Sequence, residues 1–238
     1  MKKTWGIIGL GWLGQKLSQK LNDDGIKVWG THRDTFSFES NSLPRTFCDV
    51  LFLNTPPLTN IPAQAYAEKV LENSAAKIIF ISSTSVYTKN VGRVIESDTP
   101  LPDTKSGQWL LDVETILFEE NRDRVTVIRP GGLIGGERHP VRSLSGRMDV
   151  PNGDHVVNLI HRDDLISIIC ASDNFSFGLI NAVSPFHPTR ELYYNQWAQK
   201  LKIPGVDFAR SVSPDRIVDS KYLEIVLPDW KCRSLDFI

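Results

Sequence analysis

Three glycines, Gly9, Gly11 and Gly14, stand in the run Gly9-Leu10-Gly11-Trp12-Leu13-Gly14, a spacing suited to holding a diphosphate. The first glycine permits a tight turn, the second lets a diphosphate approach the backbone, and the third lets a helix pack closely on a strand. The apolar run Trp5-Gly6-Ile7-Ile8 precedes them, and a helix-like stretch from Trp12 to about Asp23 follows. A diphosphate would rest on the free amides and positive end of that helix. Gly9, Gly11, Trp12, Leu13 and Gly14 are therefore the expected cofactor turn.

A second strand, Ile26 to Gly30, leads into Thr31-His32-Arg33, where a NAD site ordinarily places an acid for the ribose 2′-hydroxyl. Arg33 suits a 2′-phosphate instead, because a guanidinium matches that charge with two hydrogen bonds. NADP is the expected cofactor and NAD the second option. On the other reading Arg33 is solvated and Asp34 is the acid, while His32 belongs to the loop or stacks on a ring.

Further along, Asn54-Thr55-Pro56-Pro57 ends another strand, and Asn54, Thr55 and Pro56 are expected to wall the cofactor's ribose or adenine side. The run Ile81-Ser82-Ser83-Thr84-Ser85-Val86-Tyr87 sets four hydroxyls at a strand end, where they could polarise a carbonyl. Glu96, Asp98 and Asp103 lie in the long loop from Ser83 to Gly107 and are read as surface acids. Arg138, His139, Arg142 and Arg147 form either an anion-binding edge or a solvated basic face. His161 with Asp163 and Asp164 could suggest a metal or an acid–base pair. A helix begins there, however, so an aspartate is read as its cap.

Alternating segments must position these groups. Strands are expected at Thr4 to Gly9, Ile26 to Gly30, Val50 to Asn54, Lys77 to Ile81 and Val125 to Arg129, and helices at Trp12 to Asp23, Pro62 to Ser74 and Gly107 to Asn121. This alternation predicts an α/β fold, a Rossmann-type doubly wound parallel sheet covered on both faces. The interval from Arg33 to Val50 leaves room only for a truncated crossover, with a short strand around Phe36 and Phe38. Residues 1–238 read as a single domain, in which residues from about 131 onward contribute a small C-terminal substrate lobe. That lobe is expected to hold a strand from His155 to Ile160, a helix from Arg162 to Ser172, the segment Gly178 to Ala182, and a helix over Thr189 to Leu201.

Composition narrows the partners. A net charge of −1 gives no reason to expect nucleic acid or an anionic membrane surface, and no apolar run is long enough to span a bilayer. Met1-Lys2-Lys3 imitates a secretory signal but is followed by no small-residue cleavage site. Cys48, Cys170 and Cys232 match no zinc spacing, so no metal is expected, and they read as reduced packing residues of a cytoplasmic protein. A small-molecule substrate is the expected partner, and the oligomeric state is not legible.

Taken together, the glycine turn, Ser82-Ser83-Thr84-Ser85-Val86-Tyr87, Arg129-Pro130-Gly131-Gly132 and Asn158-Leu159-Ile160-His161-Arg162-Asp163-Asp164-Leu165 resemble the short-chain dehydrogenase/reductase superfamily. The branch is the extended or atypical one, related to nucleotide-sugar epimerases and dehydratases. The resemblance implies Ser82, Arg129 and Gly131 beside the cofactor, the backbone after Arg129 passing the nicotinamide. It makes Ser83 the hydroxyl that bonds the substrate oxygen. Tyr87 corresponds to a substrate-side tyrosine, or is a strand-end packing residue. Thr84 and Ser85 replace the acids of the dehydratases, which argues against sugar 4,6-dehydration. Aligning the family's helix glutamate with Glu114 puts Ser106 at the catalytic tyrosine and Leu110 at the catalytic lysine, with Lys105 on a different helical face. Proton delivery would then fall to Tyr87, Ser106 or water. The expected function is a NADP-binding oxidoreductase or epimerase acting on a small polar metabolite, or alternatively a non-catalytic NADP sensor.

Overall fold

Short apolar runs form the strands, and helices with one apolar face cover them. The computed structural model describes residues 3–236 except 40, 41, 45, 90, 120, 173, 174, 176, 177 and 212, so the first two residues of the signal-like start lie outside it. The first half contains β1 (Thr4–Ile8), α1 (Trp12–Asp23), β2 (Lys27–Thr31), β3 (Val50–Leu53), α2 (Ala63–Leu71), β4 (Lys77–Ile81), a 3-10 turn (Thr84–Val86), β5 (Gly92–Val94) and α3 (Lys105–Glu119). The second half contains β6 (Val125–Pro130), β7 (Gly132–Ile134), α4 (Val141–Leu144), β8 (Leu159–His161), α5 (Arg162–Ala171), β9 (Leu179–Ala182), α6 (Arg190–Leu201), β10 (Arg216–Val218) and α7 (Leu223–Val226).

The main sheet has the order β2-β1-β3-β4-β6-β9, with every neighbouring pair parallel. The chain runs from β1 outward to β2 and then crosses back to β3 on the other side of β1. The order therefore reverses at β1, and in such sheets ligands bind outside the carboxyl ends at that reversal. One face packs Leu13, Leu17 and Leu21 of α1 and Leu165, Ile168 and Ile169 of α5. The other packs Tyr66 and Val70 of α2 and Trp109, Leu110, Val113 and Leu117 of α3. A third core holds Ile134, Val141, Tyr193, Tyr194 and Trp197 together with Leu235 and forms the lobe around α4 and α6.

Three expectations are corrected. No strand forms at Phe36 and Phe38; Phe38 is instead buried with its ring 4.3 Å from that of Tyr66, which pins the shortened crossover to α2 as a loop. Leu179–Ala182 does not join the lobe but returns to the main sheet beside β6. The expected strand from His155 is shorter, β8 beginning at Leu159 and pairing with β7.

The C-terminal segment ties the body together. β10 pairs with β5 of the long loop, Leu223 and Leu227 enter the core beneath α1 and α5, and Leu235 enters the lobe. Among the described residues no helix is long and apolar enough to cross a membrane.

Candidate functional site

The three glycines divide their work by what surrounds them. Gly9 has φ +103°, and a Cβ there would lie 2.4 Å from the Asn54 carbonyl oxygen. Asn54 Nδ2 in turn donates to the Gly9 carbonyl at 3.1 Å, joining the ends of β1 and β3. A Cβ on Gly14 would meet the Gly9 carbonyl oxygen at 2.3 Å, so the absence of a side chain is what lets α1 lie against the turn. At Gly11 an added Cβ would find no atom within 4 Å. Packing therefore requires Gly9 and Gly14, whereas Gly11 faces open space.

Gly11 is also the N-cap of α1; it has extended backbone and no side chain to cap the helix, and the first turn carries no acid. The first amides of a helix need an acceptor, and none is supplied here by a capping side chain. Beside the turn lies a cavity of about 600 Å³, lined by Gly9, Gly11, Thr31, Arg33, Phe36, Asn54, Thr55, Pro56 and Leu58 among others. The residues present thus fit a dinucleotide: a bare cradle for the diphosphate and a mostly apolar hollow for a nucleoside. Arg33 stands on the rim with its side chain 97 % exposed and Nε 3.7 Å from Asp34 Oδ1. His32 and Asp34 share that rim.

At the end of β4 the hydroxyls separate. Ser83 caps the 3-10 turn, its Oγ accepting from the Ser85 amide at 3.1 Å, and it remains half-buried. Its hydroxyl proton has no acceptor among the described residues, so Ser83 retains the donor its expected role requires. Ser82 points elsewhere: it is buried and donates to Glu114 Oε1.

Arg129, expected near the cofactor, is 3 % exposed and pairs with Glu114, its Nε 3.1 Å from each carboxylate oxygen. Burial alone would lower the guanidinium pKa, but the hydrogen bond and charge of Glu114 outweigh it and raise it. Arg129 Nη1 donates to the Tyr87 hydroxyl at 2.7 Å, and that hydroxyl lies 3.1 Å from Asn181 Oδ1 and 3.2 Å from the Ile95 carbonyl. Tyr87 is 1 % exposed, and burial pushes its phenol pKa up. The Ser82 and Arg129 side chains are thus both engaged by Glu114, and Tyr87 takes the packing alternative, buried and hydrogen-bonded in the core.

Gly131 permits a close approach, but to protein: a Cβ there would lie 2.5 Å from the Asn158 carbonyl oxygen. Ser106 is exposed in the first turn of α3, whereas Leu110 is buried in the core beneath Tyr87 and Val86. Asp98 and Asp103 are exposed, as expected of surface acids, whereas Glu96 is half-buried. Glu96 accepts from the Asn181 amide at 2.9 Å and the Lys221 amide at 3.0 Å, and Asp98 accepts from the Ile95 amide at 2.8 Å.

The helix following β8 is capped differently from expectation. His161 Nδ1 accepts from the Asp163 amide at 3.2 Å, while Asp164 is fully buried and accepts from the Lys231 and Cys232 amides at 2.8 and 3.0 Å. The basic cluster divides as well. His139 is buried among Tyr193, Tyr194 and Trp197, and burial pushes its pKa down to about 4. Arg142 pairs with Glu137, and Arg138 lies over the Trp12 ring. No group of three or more potential metal ligands occurs among the described residues.

Sequence reasoning missed the structural roles of Glu114, Asn181 and Arg216. Arg216 Nη1 donates to the Thr84 and Tyr87 carbonyls at 3.2 and 2.6 Å and holds the 3-10 turn from outside. An available signal was Arg129 itself, a cation in the otherwise apolar run of β6, which demanded a buried partner.

Protein YeeZ of Escherichia coli K12 is 31 % identical over 269 residues, an alignment covering 100 % of this chain and 95 % of YeeZ. The chain belongs to the YeeZ family. Its fold is the Rossmann-like α/β fold of solved sugar-nucleotide reductases and epimerases. A dTDP-4-dehydrorhamnose reductase from Clostridium acetobutylicum superposes with TM-score 0.78 at 15 % identity, covering 94 % of this chain and 92 % of that one. Human epimerase family protein SDR39U1, solved with NADPH, superposes with TM-score 0.76 at 14 % identity, covering 97 % and 96 %. No protein-family model matches the chain. This YeeZ-family chain thus shares its fold with these structures over most of its length.

Proposed function

We propose that this chain binds NADP at the Gly9–Gly14 turn and acts as an oxidoreductase or epimerase on a small polar metabolite. The observation that carries this reading is Gly11, whose missing side chain opens the uncapped start of α1 to a ligand where Gly9 and Gly14 serve packing. The adjacent 600 Å³ cavity accommodates the nucleoside, and the solved relative with NADPH has the same fold. A bound nicotinamide supplies hydride transfer. Ser83 hydrogen-bonds the substrate carbonyl oxygen through its hydroxyl and orients it, keeping its own proton. Tyr87 takes no part, so Ser106, exposed in the first turn of α3, or water carries the proton. NADP is favoured over NAD because Arg33 is the cation at the cavity rim and is free to turn onto a 2′-phosphate.

A second reading has its own observation. Helix α3 contains no tyrosine, and its one lysine, Lys105, stands at its first position, while the core claims Leu110. A site with no phenol–ammonium pair suits a protein that senses the dinucleotide without turning it over.

Calorimetric titration with NADP and NAD, on the wild type and on Arg33→Ala, tests the cofactor assignment. The expected result is tighter NADP binding in the wild type and loss of about tenfold of that affinity in the variant. Equal wild-type affinities would refute the 2′-phosphate assignment. Turnover of NADPH with a panel of carbonyl compounds then separates enzyme from sensor.

A further inference from the structure

Next to Gly11, at a residue that does not line the cavity, two guanidinium groups lie over one indole. Arg162 Cζ is 4.3 Å and Arg138 Cζ 5.2 Å from the Trp12 ring centroid. Trp12 is the first residue of α1, so both cations stand at the positive end of a helix that has neither a capping side chain nor an acid in its first turn. Like charges gather this way when an anion is to be held between them. Asp163 Oδ1 makes a long ion pair with Arg162 Nε at 3.9 Å, beyond a hydrogen bond, and that oxygen is itself buried with no hydrogen bond among the described residues. Arg138 forms no ion pair among the described residues.

An independent observation comes from the wall behind them. His161 is 8 % exposed; its Nδ1 accepts from the Asp163 amide, so in the neutral ring Nε2 carries the proton. Among the described residues that Nε2 has no hydrogen-bond partner, and Arg162 Nε has none either, its ion pair with Asp163 being too long for one. His161 Nε2 faces the Gly135–Gly136 turn, 2.8 Å from where a Gly135 Cβ would stand, and an Arg162 guanidinium nitrogen lies 3.7 Å from the corresponding position on Gly136. Two buried donors without acceptors therefore border the same turn that places Arg138, a costly arrangement unless oxygen acceptors arrive.

We propose that Arg138 and Arg162, braced on Trp12 and backed by His161, form an anion clamp that closes on a phosphate group at the mouth of the glycine turn. The phosphate belongs either to the cofactor's diphosphate, in which case the clamp rests on the dinucleotide reading above, or to an anionic substrate bound next to it. Trp12 holds the guanidinium planes in place by stacking, which reduces the ordering required when the anion binds.

Calorimetry with NADP, adenosine and inorganic pyrophosphate on the wild type, Arg138→Gln and Arg162→Gln tests the clamp. Arg138 is exposed, so its variant keeps the fold; Arg162→Lys serves as the second variant if Arg162→Gln unfolds. For a clamp on the cofactor, NADP and pyrophosphate each bind about tenfold more weakly in the variants while adenosine is unchanged. For a clamp on a substrate, NADP binding is unchanged, and inorganic phosphate added to the NADP-saturated protein binds the wild type and not the variants. If the wild type ignores NADP yet binds pyrophosphate through these arginines, the clamp stands and the dinucleotide reading falls. Identical binding of NADP, pyrophosphate and phosphate in wild type and variants overturns the proposal.

Discussion

Arg129 donates to the Tyr87 hydroxyl at 2.7 Å while its other nitrogens grip Glu114, so the strand end that resembles a catalytic centre is underlain by a closed ion pair. Breaking such a pair on one side leaves an uncompensated buried charge, typically at a cost of about 3–5 kcal/mol. Arg129→Met is expected to destabilise the protein by that order in urea denaturation. Tyr87→Phe removes one acceptor of Arg129 and should cost about 1–3 kcal/mol. Neither NADP affinity nor the pH profile of any turnover should change in Tyr87→Phe. A lost activity in a folded Tyr87→Phe protein would return the tyrosine to catalysis.

The glycines separate packing from binding. A methyl group at Gly9 or Gly14 meets a backbone carbonyl at 2.4 or 2.3 Å, and at Gly9 it must also tolerate φ +103°. Gly9→Ala and Gly14→Ala should each lower stability by about 1–3 kcal/mol or more, read as a fall in thermal midpoint. Gly11→Ala meets nothing, so its melting should stay within about 0.5 kcal/mol of the wild type. Its NADP affinity should fall by about tenfold or more, because the methyl group occupies the place of the phosphate.

Stability is expected to depend on pH through His139. Burial lowers its folded pKa from the ordinary 6.5 to about 4, so between those values the unfolded chain binds the additional proton. Stability is therefore greatest above about pH 6.5 and is lost as pH falls towards 4, by ~3 kcal/mol for this residue. His161 and His187 are shifted in the same direction by burial, so the difference between wild type and His139→Gln isolates the contribution. The variant should show a shallower loss of thermal midpoint between pH 7 and 4; parallel curves would exclude His139 as the source.

Asp164 accepts both the Lys231 and Cys232 amides, fastening the C-terminal segment to the start of α5. Asp164→Ala removes the shared acceptor of the exposed Lys231 and the buried Cys232 amides, at a cost of roughly 1–3 kcal/mol. Hydrogen exchange should accelerate first at residues 231 and 232, ahead of the central strands. Uniform protection across the chain would show that the segment is held by its apolar contacts alone.

Local pattern determined much of this protein. The alternation of β-branched runs with amphipathic stretches dictates parallel strands under helices, and the glycine spacing dictates the first turn, because both depend on neighbours a few residues away. The positions of Ser83 after β4 and of Arg33 after β2 follow from the same local pattern. The tertiary structure alone decided what each charge meets. Arg129 and Glu114, 15 residues apart, became one buried pair; Tyr87 was drawn inward by Asn181, 94 residues away; and His139 left the basic edge for an aromatic core. Arg138 and Arg162 found one indole near the start of the chain. Desolvation penalises an unpaired charge wherever the fold buries it, so partners are chosen by proximity in space, which a one-dimensional spacing does not encode.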